Sequence, residues 1–181
     1  MADRDSDSHH LVAGPVHSPF LTVPKSRKKK RRKAWNRFGD TGRSLLVGAA
    51  TVLPQRSAAT RLNAGTCLIA IKLITKGLKT IVPERRPDGN DNESFPSEHA
   101  AQCTAAAIII EREYPGKIGA LAYALAAAVS LSRVEGKKHY PRDVLAGALI
   151  GCAAVWVALQ FSSRASDWRS VSKDVAALSK V

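Results

Sequence analysis

Apolar residues concentrate in five segments, and none of the segments shows the strict alternation of a half-buried strand. The segments are residues 44–53, 64–82, 97–113, 118–131 and 143–161. Alanine, the strongest helix former, dominates the later segments, and short turns separate them. This pattern predicts an all-α protein in which the helices pack as an antiparallel bundle.

Two of these segments bear on whether the bundle is membrane-embedded. Residues 143–161 are long enough to cross a bilayer, and after Asp143 only Gln160 interrupts their apolar character. Residues 44–53 are too short to span one comfortably. The sequence therefore predicts a membrane-embedded bundle.

The 64–82 segment carries lysines that share one helical face. Lys72, Lys76 and Lys79 are spaced at i, i+4 and i+7. A lysine at the centre of a bilayer costs about 2.5–3.5 kcal/mol on insertion scales. We therefore expect this face to line a polar cavity or the interface, on the substrate's approach to the site.

Polar segments flank the apolar region on both sides. Residues 1–43 have the composition of a disordered leader and contain the basic run PKSRKKKRRK at 24–33. Residues 44–162 form the predicted bundle, and 163–181 form a polar tail with the spacing of an interfacial amphipathic helix. We interpret the basic run as a solvated charge run or a cytoplasmic topology signal, with nucleic-acid binding as the alternative.

Charge and cysteine content narrow the function classes. Lys and Arg outnumber Asp and Glu 28 to 15, a net charge of +13, which favours anionic partners. The aromatic content of 6% argues against a base-stacking module, so we expect no nucleic-acid partner for the bundle. Three widely spaced cysteines without a CxxC pair argue against a disulfide framework and a zinc site. No cofactor is expected, and the sequence does not set the oligomeric state.

Seven polar residues suited to phosphate chemistry stand in three clusters at the ends of the predicted helices. They are Lys79 and Arg86 in KTIVPERRP, Ser97 and His99 in FPSEH, and Arg133, His139 and Asp143 in SRVEGKKHYPRD. Because antiparallel helices joined by short loops alternate in direction, we expect all three clusters to meet at one end of the bundle.

The residue types suggest a role for each position. Lys79, Arg86 and Arg133 suit the non-bridging oxygens of a phosphate ester, and Ser97 stands at a helix start that favours an anion; these four are the predicted phosphate-binding residues. His139 is the predicted nucleophile, with Asp143 four residues on to orient its imidazole. His99 is the predicted general acid for the departing alcohol. No cluster offers carboxylate ligands for magnesium, so we expect a metal-independent reaction.

Together the clusters resemble the three-part signature of the type 2 phosphatidic acid phosphatase superfamily, KxxxxxxRP…PSxH…SRxxxxxHxxxD. All ten fixed positions are present in order and with the same spacing, over residues 79–143. The resemblance implies a helical, often membrane-embedded enzyme that hydrolyses phosphomonoesters or diphosphates through a phosphohistidine intermediate. It assigns His139, Asp143 and His99 the same roles as the chemistry does.

The chain departs from the family pattern at two points. Glu98 stands at the variable position of PSxH, where the family often has glycine, and its carboxylate should repel substrate unless it points away or pairs with a neighbouring cation. Membrane members also usually have more helical sequence before the first cluster. If 64–82 is the first crossing, a cytoplasmic leader puts the site on the outer face of the inner or plasma membrane; if 44–53 also crosses, the site lies on the leader's side. The short length of 44–53 favours the outward-facing site.

The sequence therefore predicts a membrane-bound phosphatase acting on a lipid or polyprenyl phosphate or diphosphate. A soluble acid phosphatase of the same family is the alternative, because Gln102, Thr104 and the lysine face weaken several spans. A vanadate-dependent haloperoxidase, which resembles the same site, is usually a much longer chain. A non-catalytic basic protein that binds membranes or nucleic acid would leave the ten matched positions unexplained.

Overall fold

The computed structural model describes residues 25–53 and 58–178, with side chains at 26–53 and 64–161. These residues form five helices: α1 (Lys25–Val52), α2 (Ala58–Ile81), α3 (Glu98–Glu113), α4 (Lys117–Glu135) and α5 (Pro141–Leu178). Within the described ranges there is no strand, only an isolated bridge between Glu84 and Glu93 in the loop after α2. The predicted all-α bundle is confirmed.

Local sequence accounts for where the last three helices begin and end. Ser97 caps α3, where its hydroxyl accepts a hydrogen bond from the Ala100 amide at 3.4 Å. Gly116, at φ 85°, makes the turn from α3 into α4. Pro141 opens α5 at the first helical position, where its missing N–H costs nothing. These boundaries put PSEH and SRVEGKKHYPRD at one end of the bundle.

Helix α3 is the centre of the bundle and packs against each of the other four helices. Its inward residues are small: Ala101, Ala105 and Ala106 are fully buried. Opposite them on α5, a Cβ at Gly147 would collide with the carbonyl oxygen of Ser97, the cap of α3, and one at Gly151 with that of Ala101. Small residues on both helices therefore bring the two backbones close together, which fixes α5 and its first turn against the start of α3.

Helix α1 differs from the predicted leader. Residues 25–43 of the predicted leader belong to a helix, and residues 1–24 lie outside the described part. Gly42 faces Val129, Gly39 faces Ser132 and Asn36 faces Gly136, which makes α1 antiparallel to α4. Sequence periodicity missed this helix because its first half is almost entirely charged. At the other end of the chain, α5 continues through residues 163–178 of the predicted tail.

Within the described ranges, two helices are long and apolar enough to cross a membrane: Lys117–Glu135 and Pro141–Phe161. Only 17% of the apolar stretch of α5 is buried within the bundle. Leu145, Leu149 and Trp156 point outward and are 66%, 70% and 63% exposed. A helix with small residues facing the core and large apolar residues facing outward is typical of a lipid-exposed helix.

Candidate active site

The structure brings the three clusters together at one end of the bundle. The Ser97 amide donates to the Asp143 carbonyl oxygen at 3.0 Å, which joins the second cluster to the third. His139 joins the loop before α3 through the Ser94 carbonyl oxygen. Lys79 and Arg86 both lie within 4.0 Å of the Glu93 carboxylate, in that same loop. Residues that are 64 positions apart in the chain therefore form one polar cluster.

His139 is 3% exposed and has one imidazole nitrogen engaged. Its Nδ1 lies 2.6 Å from the Ser94 carbonyl oxygen, an acceptor that requires Nδ1 to carry the proton. The other nitrogen, Nε2, is then the lone-pair nitrogen. The predicted orienting partner, Asp143, is 4.0 Å from Nδ1 and therefore makes no direct hydrogen bond with it. In this structure the backbone of Ser94 orients the imidazole.

Asp143 instead holds the segment that orients His139. Its buried carboxylate oxygen Oδ2 accepts from the Ser94 hydroxyl at 2.5 Å and from the Tyr140 amide at 2.8 Å. These two hydrogen bonds hold Ser94, whose carbonyl contacts the imidazole, and Tyr140, which follows His139 in the chain. Asp143 is thus linked to His139 through Ser94, a residue that no sequence motif marks. Its backbone carbonyl, which any residue type would supply, left no signal in the sequence.

The three predicted phosphate-binding cations each face a carboxylate. Arg86 Nε lies 2.6 Å from Asp91 Oδ1, and Lys79 Nζ lies 3.8 Å from Glu93 Oε2. Arg133 donates to Asp40 at 3.0 Å. The side chains of these cations are 6–14% exposed, whereas those of their partners are 43–64% exposed. The cations are therefore held in place by the fold, and the carboxylates lie on its solvent side.

His99 has a partner that lies outside all three clusters. Its Nε2 is 2.9 Å from Asp40 Oδ1 on α1, and the same oxygen accepts from Arg133. With Asp40 ionised, Nε2 is the donor, and Nδ1 is the nitrogen left to face a substrate. Asp40 falls within the predicted leader, so only the packing of α1 against α3 and α4 reveals it.

Residues that the sequence left open also find partners. Arg43 lies 3.5 Å from Glu98. The carboxylate in PSEH is therefore paired with a neighbouring cation, which is one of the two arrangements that would keep it from repelling a phosphate. Lys138 pairs with Asp88 at 2.8 Å, and Arg142 contacts Glu84. The basic residues around His139 therefore tie the loop after α2 to the start of α5.

The two histidines of the site, His99 and His139, both have pKa values well below the usual range. Burial lowers the pKa of His139 to about 3, with the charges of Arg86, Arg133 and Lys79 acting in the same direction and the Ser94 hydrogen bond opposing them. Burial likewise lowers the pKa of His99 to about 4; Arg133 and Arg43 add to the effect, and Asp40 opposes it. A neutral His139 suits attack, whereas His99 must gain a proton to serve as an acid. A phosphate dianion bound to the arginines would raise the pKa of His99 by offsetting their charge.

The low pKa values predict that acid weakens the fold. An unfolded histidine binds a proton near pH 6.5, so between pH 6.5 and about 3 the unfolded chain binds protons that the folded one excludes. Stability is therefore lost as pH falls through this window. We expect the thermal unfolding midpoint in detergent to drop between pH 7 and 4.5 by on the order of 5 °C more in the wild type than in His139→Asn. The asparagine amide retains a donor for the Ser94 carbonyl. Equal drops in the two proteins would contradict the buried, neutral imidazole.

Comparisons with known proteins identify the family of the chain. The model of the PAP2 superfamily matches residues 60–167. A lipid A 1-phosphatase from Porphyromonas gingivalis is 35% identical over 69 residues, which are 36% of this chain and 16% of that protein. The chain thus matches only about a sixth of the length of this curated relative.

Two solved structures share the fold. One is Aquifex aeolicus LpxE, with a TM-score of 0.58 and 21% identity over 71% of this chain and 85% of the other. The second is a transmembrane PAP2 type phosphatidylglycerolphosphate phosphatase from Bacillus subtilis, with a TM-score of 0.56 and 21% identity over 77% of this chain and 86% of the other. The match to the family model covers more than half of the chain and includes all three clusters, so this protein belongs to the PAP2 superfamily.

Proposed function

We propose that this protein is a membrane-bound phosphatase that hydrolyses a lipid or polyprenyl phosphate or diphosphate through a phosphohistidine intermediate. One observation carries the proposal. The His139 imidazole is buried, its Nδ1 proton is committed to the Ser94 carbonyl, and Nε2 is left as a nucleophile under the positive field of Arg86, Arg133 and Lys79. A hydrogen bond that only held the loop would not need a buried imidazole surrounded by three cations, because burial beside like charges is costly for a basic group.

The proposed reaction has two steps. Nε2 of His139 attacks phosphorus, the bond from phosphorus to the leaving oxygen breaks, and His99 gives that oxygen a proton. Water then attacks the phosphohistidine, His99 takes its proton, and the nitrogen–phosphorus bond breaks to release inorganic phosphate. Lys79, Arg86, Arg133 and the start of α3 at Ser97 hold the phosphoryl oxygens during both steps. No divalent metal enters this scheme.

The carboxylates that pair with Arg86 and Lys79 are placed so that a phosphate can displace them. Asp91 and Glu93 are 43% and 64% exposed, so their side chains can move into solvent when a phosphate takes their places on Arg86 and Lys79. Asp40 is different because it also bonds His99. We propose that Asp40 is a positioning residue: it fixes the His99 ring and raises its pKa toward the value that a general acid needs.

The outer surface of the bundle supports a lipid environment over the soluble alternative. Large apolar side chains project outward on α2 as well as on α4 and α5; Ile69, Leu73 and Leu121 are 62%, 65% and 70% exposed. Covering such a surface with lipid removes its contact with water. Lys72 and Lys76 are exposed on α2, which suits an interfacial or substrate-facing position for this stretch.

The packing of α1 supports a different membrane side for the site from the one that the sequence favours. The outward-facing prediction required the basic run and the site to lie on opposite membrane faces. Residues 44–52 belong to α1, which runs from the active-site end of the bundle to the opposite end, and α2 runs back to the site. Residues 25–38 and the site therefore lie at the same end of the bundle. We propose, in place of an outward-facing site, that the site lies on the side that holds the basic run, which the positive-inside rule makes cytoplasmic.

The direct test is phosphate release by the purified protein in detergent micelles, over lipid phosphates, polyprenyl diphosphates and soluble esters. We expect release that survives EDTA and is blocked by vanadate, a mimic of the five-coordinate phosphorus. Lipid or polyprenyl substrates should exceed soluble esters in kcat/KM. Activity that EDTA abolishes and magnesium restores would contradict the metal-independent mechanism, and no release from any substrate would contradict the function.

A further inference from the structure

The first half of α1 carries a dense positive charge that the proposed reaction does not use. Eight of the nine residues from Lys25 to Lys33 are lysine or arginine, and the side chains of residues 26–34 are exposed. In the described part of the chain, Arg31 is the residue of this run that pairs with a carboxylate; it lies 3.0 Å from Glu135. Like charges spaced along one helix repel each other, so this helix gains stability from a negatively charged partner.

The packing of α1 fixes where this charge stands. Asn36 faces Gly136, the residue after the end of α4, and Asp40 reaches into the site. Residues before Asn36 therefore extend beyond the end of α4 on the active-site side. At ~1.5 Å per residue, Arg27 lies roughly 20 Å along the helix from Asp40. The basic half thus projects from the end of the bundle where a lipid phosphate would be bound.

An aromatic pair marks the change from the basic to the packed half of α1. The rings of Trp35 and Phe38 meet edge to face with centroids 6.1 Å apart, and Phe38 is 41% exposed. Tryptophan favours the boundary between headgroups and acyl chains, where one part of the ring is apolar and its N–H is wet. This pair therefore fits the membrane interface, with the basic residues on its aqueous side.

We propose that residues 25–33 form a binding surface for anionic phospholipids in the headgroup layer beside the active site. Charge complementarity and the position of the run select this partner: the bundle holds the helix at headgroup level, and clusters of four to eight basic residues next to a membrane segment bind acidic lipids. Such a surface concentrates anionic lipids, including substrates, at the mouth of the site. The inference rests on the proposed membrane location but not on the proposed chemistry.

Trp35 provides a probe for this contact. The chain has three tryptophans, so replacing Trp156 and Trp168 with phenylalanine leaves Trp35 as the sole donor. The full-length protein is reconstituted in phosphatidylcholine vesicles with a dansyl-labelled headgroup, with or without about 30% phosphatidylglycerol. We expect about twofold greater energy transfer from Trp35 in the anionic vesicles, and loss of this difference in 0.5 M salt, about where screening lengths fall below 5 Å.

Two charge variants in this Trp35 background separate the surface from general electrostatics. Replacing Lys28, Lys29, Lys30, Arg32 and Lys33 with glutamine retains Arg31 and its partner, and it should remove the lipid dependence. The control, Arg112→Gln with Lys117→Gln, removes two exposed positive charges at the opposite end of the bundle and should retain the lipid dependence. Equal transfer in neutral and anionic vesicles would overturn the proposal. Energy transfer that is unchanged by anionic lipid but altered by added RNA would also overturn the proposal, because the basic run would then bind nucleic acid.

Failure here is distinguishable from failure of the phosphatase function. The five-site glutamine variant should hydrolyse a water-soluble phosphate ester in neutral detergent within about twofold of the wild type, because none of the five residues contacts the site. Conversely, His139→Ala in the Trp35 background should keep the full dependence of energy transfer on phosphatidylglycerol. Loss of that dependence in His139→Ala would show that the lipid contact occurs at the active site, and would overturn a separate surface.

Discussion

Replacing His139 with alanine is expected to lower kcat for phosphate release by at least ~10³-fold, because the variant lacks the proposed nucleophile that would form the phosphoenzyme. The measurement is steady-state phosphate release on the substrate that the wild type prefers. Lys137→Ala is the matched control in the same loop: Lys137 is exposed, two residues away, and should leave kcat within about twofold of the wild type.

Trapping the intermediate makes this test specific for the mechanism. When wild-type protein is mixed with ³²P-labelled substrate and quenched in alkali, we expect label on the protein, because phosphohistidine is stable in base and lost in acid. His139→Ala should carry none. Substantial turnover in His139→Ala, or label that resists acid and is cleaved by base, would contradict a phosphohistidine at this position. Vanadate binding by His139→Asn checks that the cation cluster survives the substitution.

Replacing Asp40 with asparagine is expected to lower kcat by ~10- to 100-fold with little change in KM. Asp40 bonds the proposed acid His99 at 2.9 Å, and its negative charge opposes the burial and the arginine charges that hold the pKa of His99 down to about 4. Without that charge, the pKa of His99 falls further and less of the acid form is present at any pH. The basic limb of the pH profile of kcat should therefore move to lower pH.

Glu135→Gln is the matched control for this prediction. It also removes an acidic partner of an arginine between α1 and α4, but its contact is Arg31 and it lies outside the site. Its kcat and its pH profile should resemble those of the wild type. The double variant Asp40→Asn with His99→Asn should be no slower than His99→Asn, because Asp40 acts through His99. Increased activity in Asp40→Asn would mean that the carboxylate blocks the phosphate site instead of positioning the acid.

The polar residues of the site show what spacing reveals and what it does not. The spacing within each cluster, together with the alternation of helices, predicted that Lys79, His99 and His139 meet at one end, because short loops leave antiparallel helices little choice. The atom that contacts His139 Nδ1 differs from the predicted one. A carboxylate four residues away is in reach of the imidazole, but the Ser94 carbonyl is closer and takes the proton.

Helix α1 shows the opposite case, a whole element that sequence periodicity did not reveal. Its basic half has no apolar face, so it has the composition of a disordered segment. The helix is nevertheless formed, with Gly39 and Gly42 packed against α4 and Leu46 and Ala50 in the core. This packing brings Asp40 to His99 and places the basic run on the side of the site, a result that the length of segment 44–53 had argued against.

The sequence by itself determined the helical class and the family, because these depend on local composition and on spacing within short motifs. Only the tertiary structure decided which atom orients His139, that Asp40 bonds His99, and that the basic run and the site share one end of the bundle. Those three features depend on contacts between segments 45 or more residues apart, or on a backbone carbonyl that every residue type provides. Sequence patterns do not reveal such contacts, because they form when the helices pack around α3.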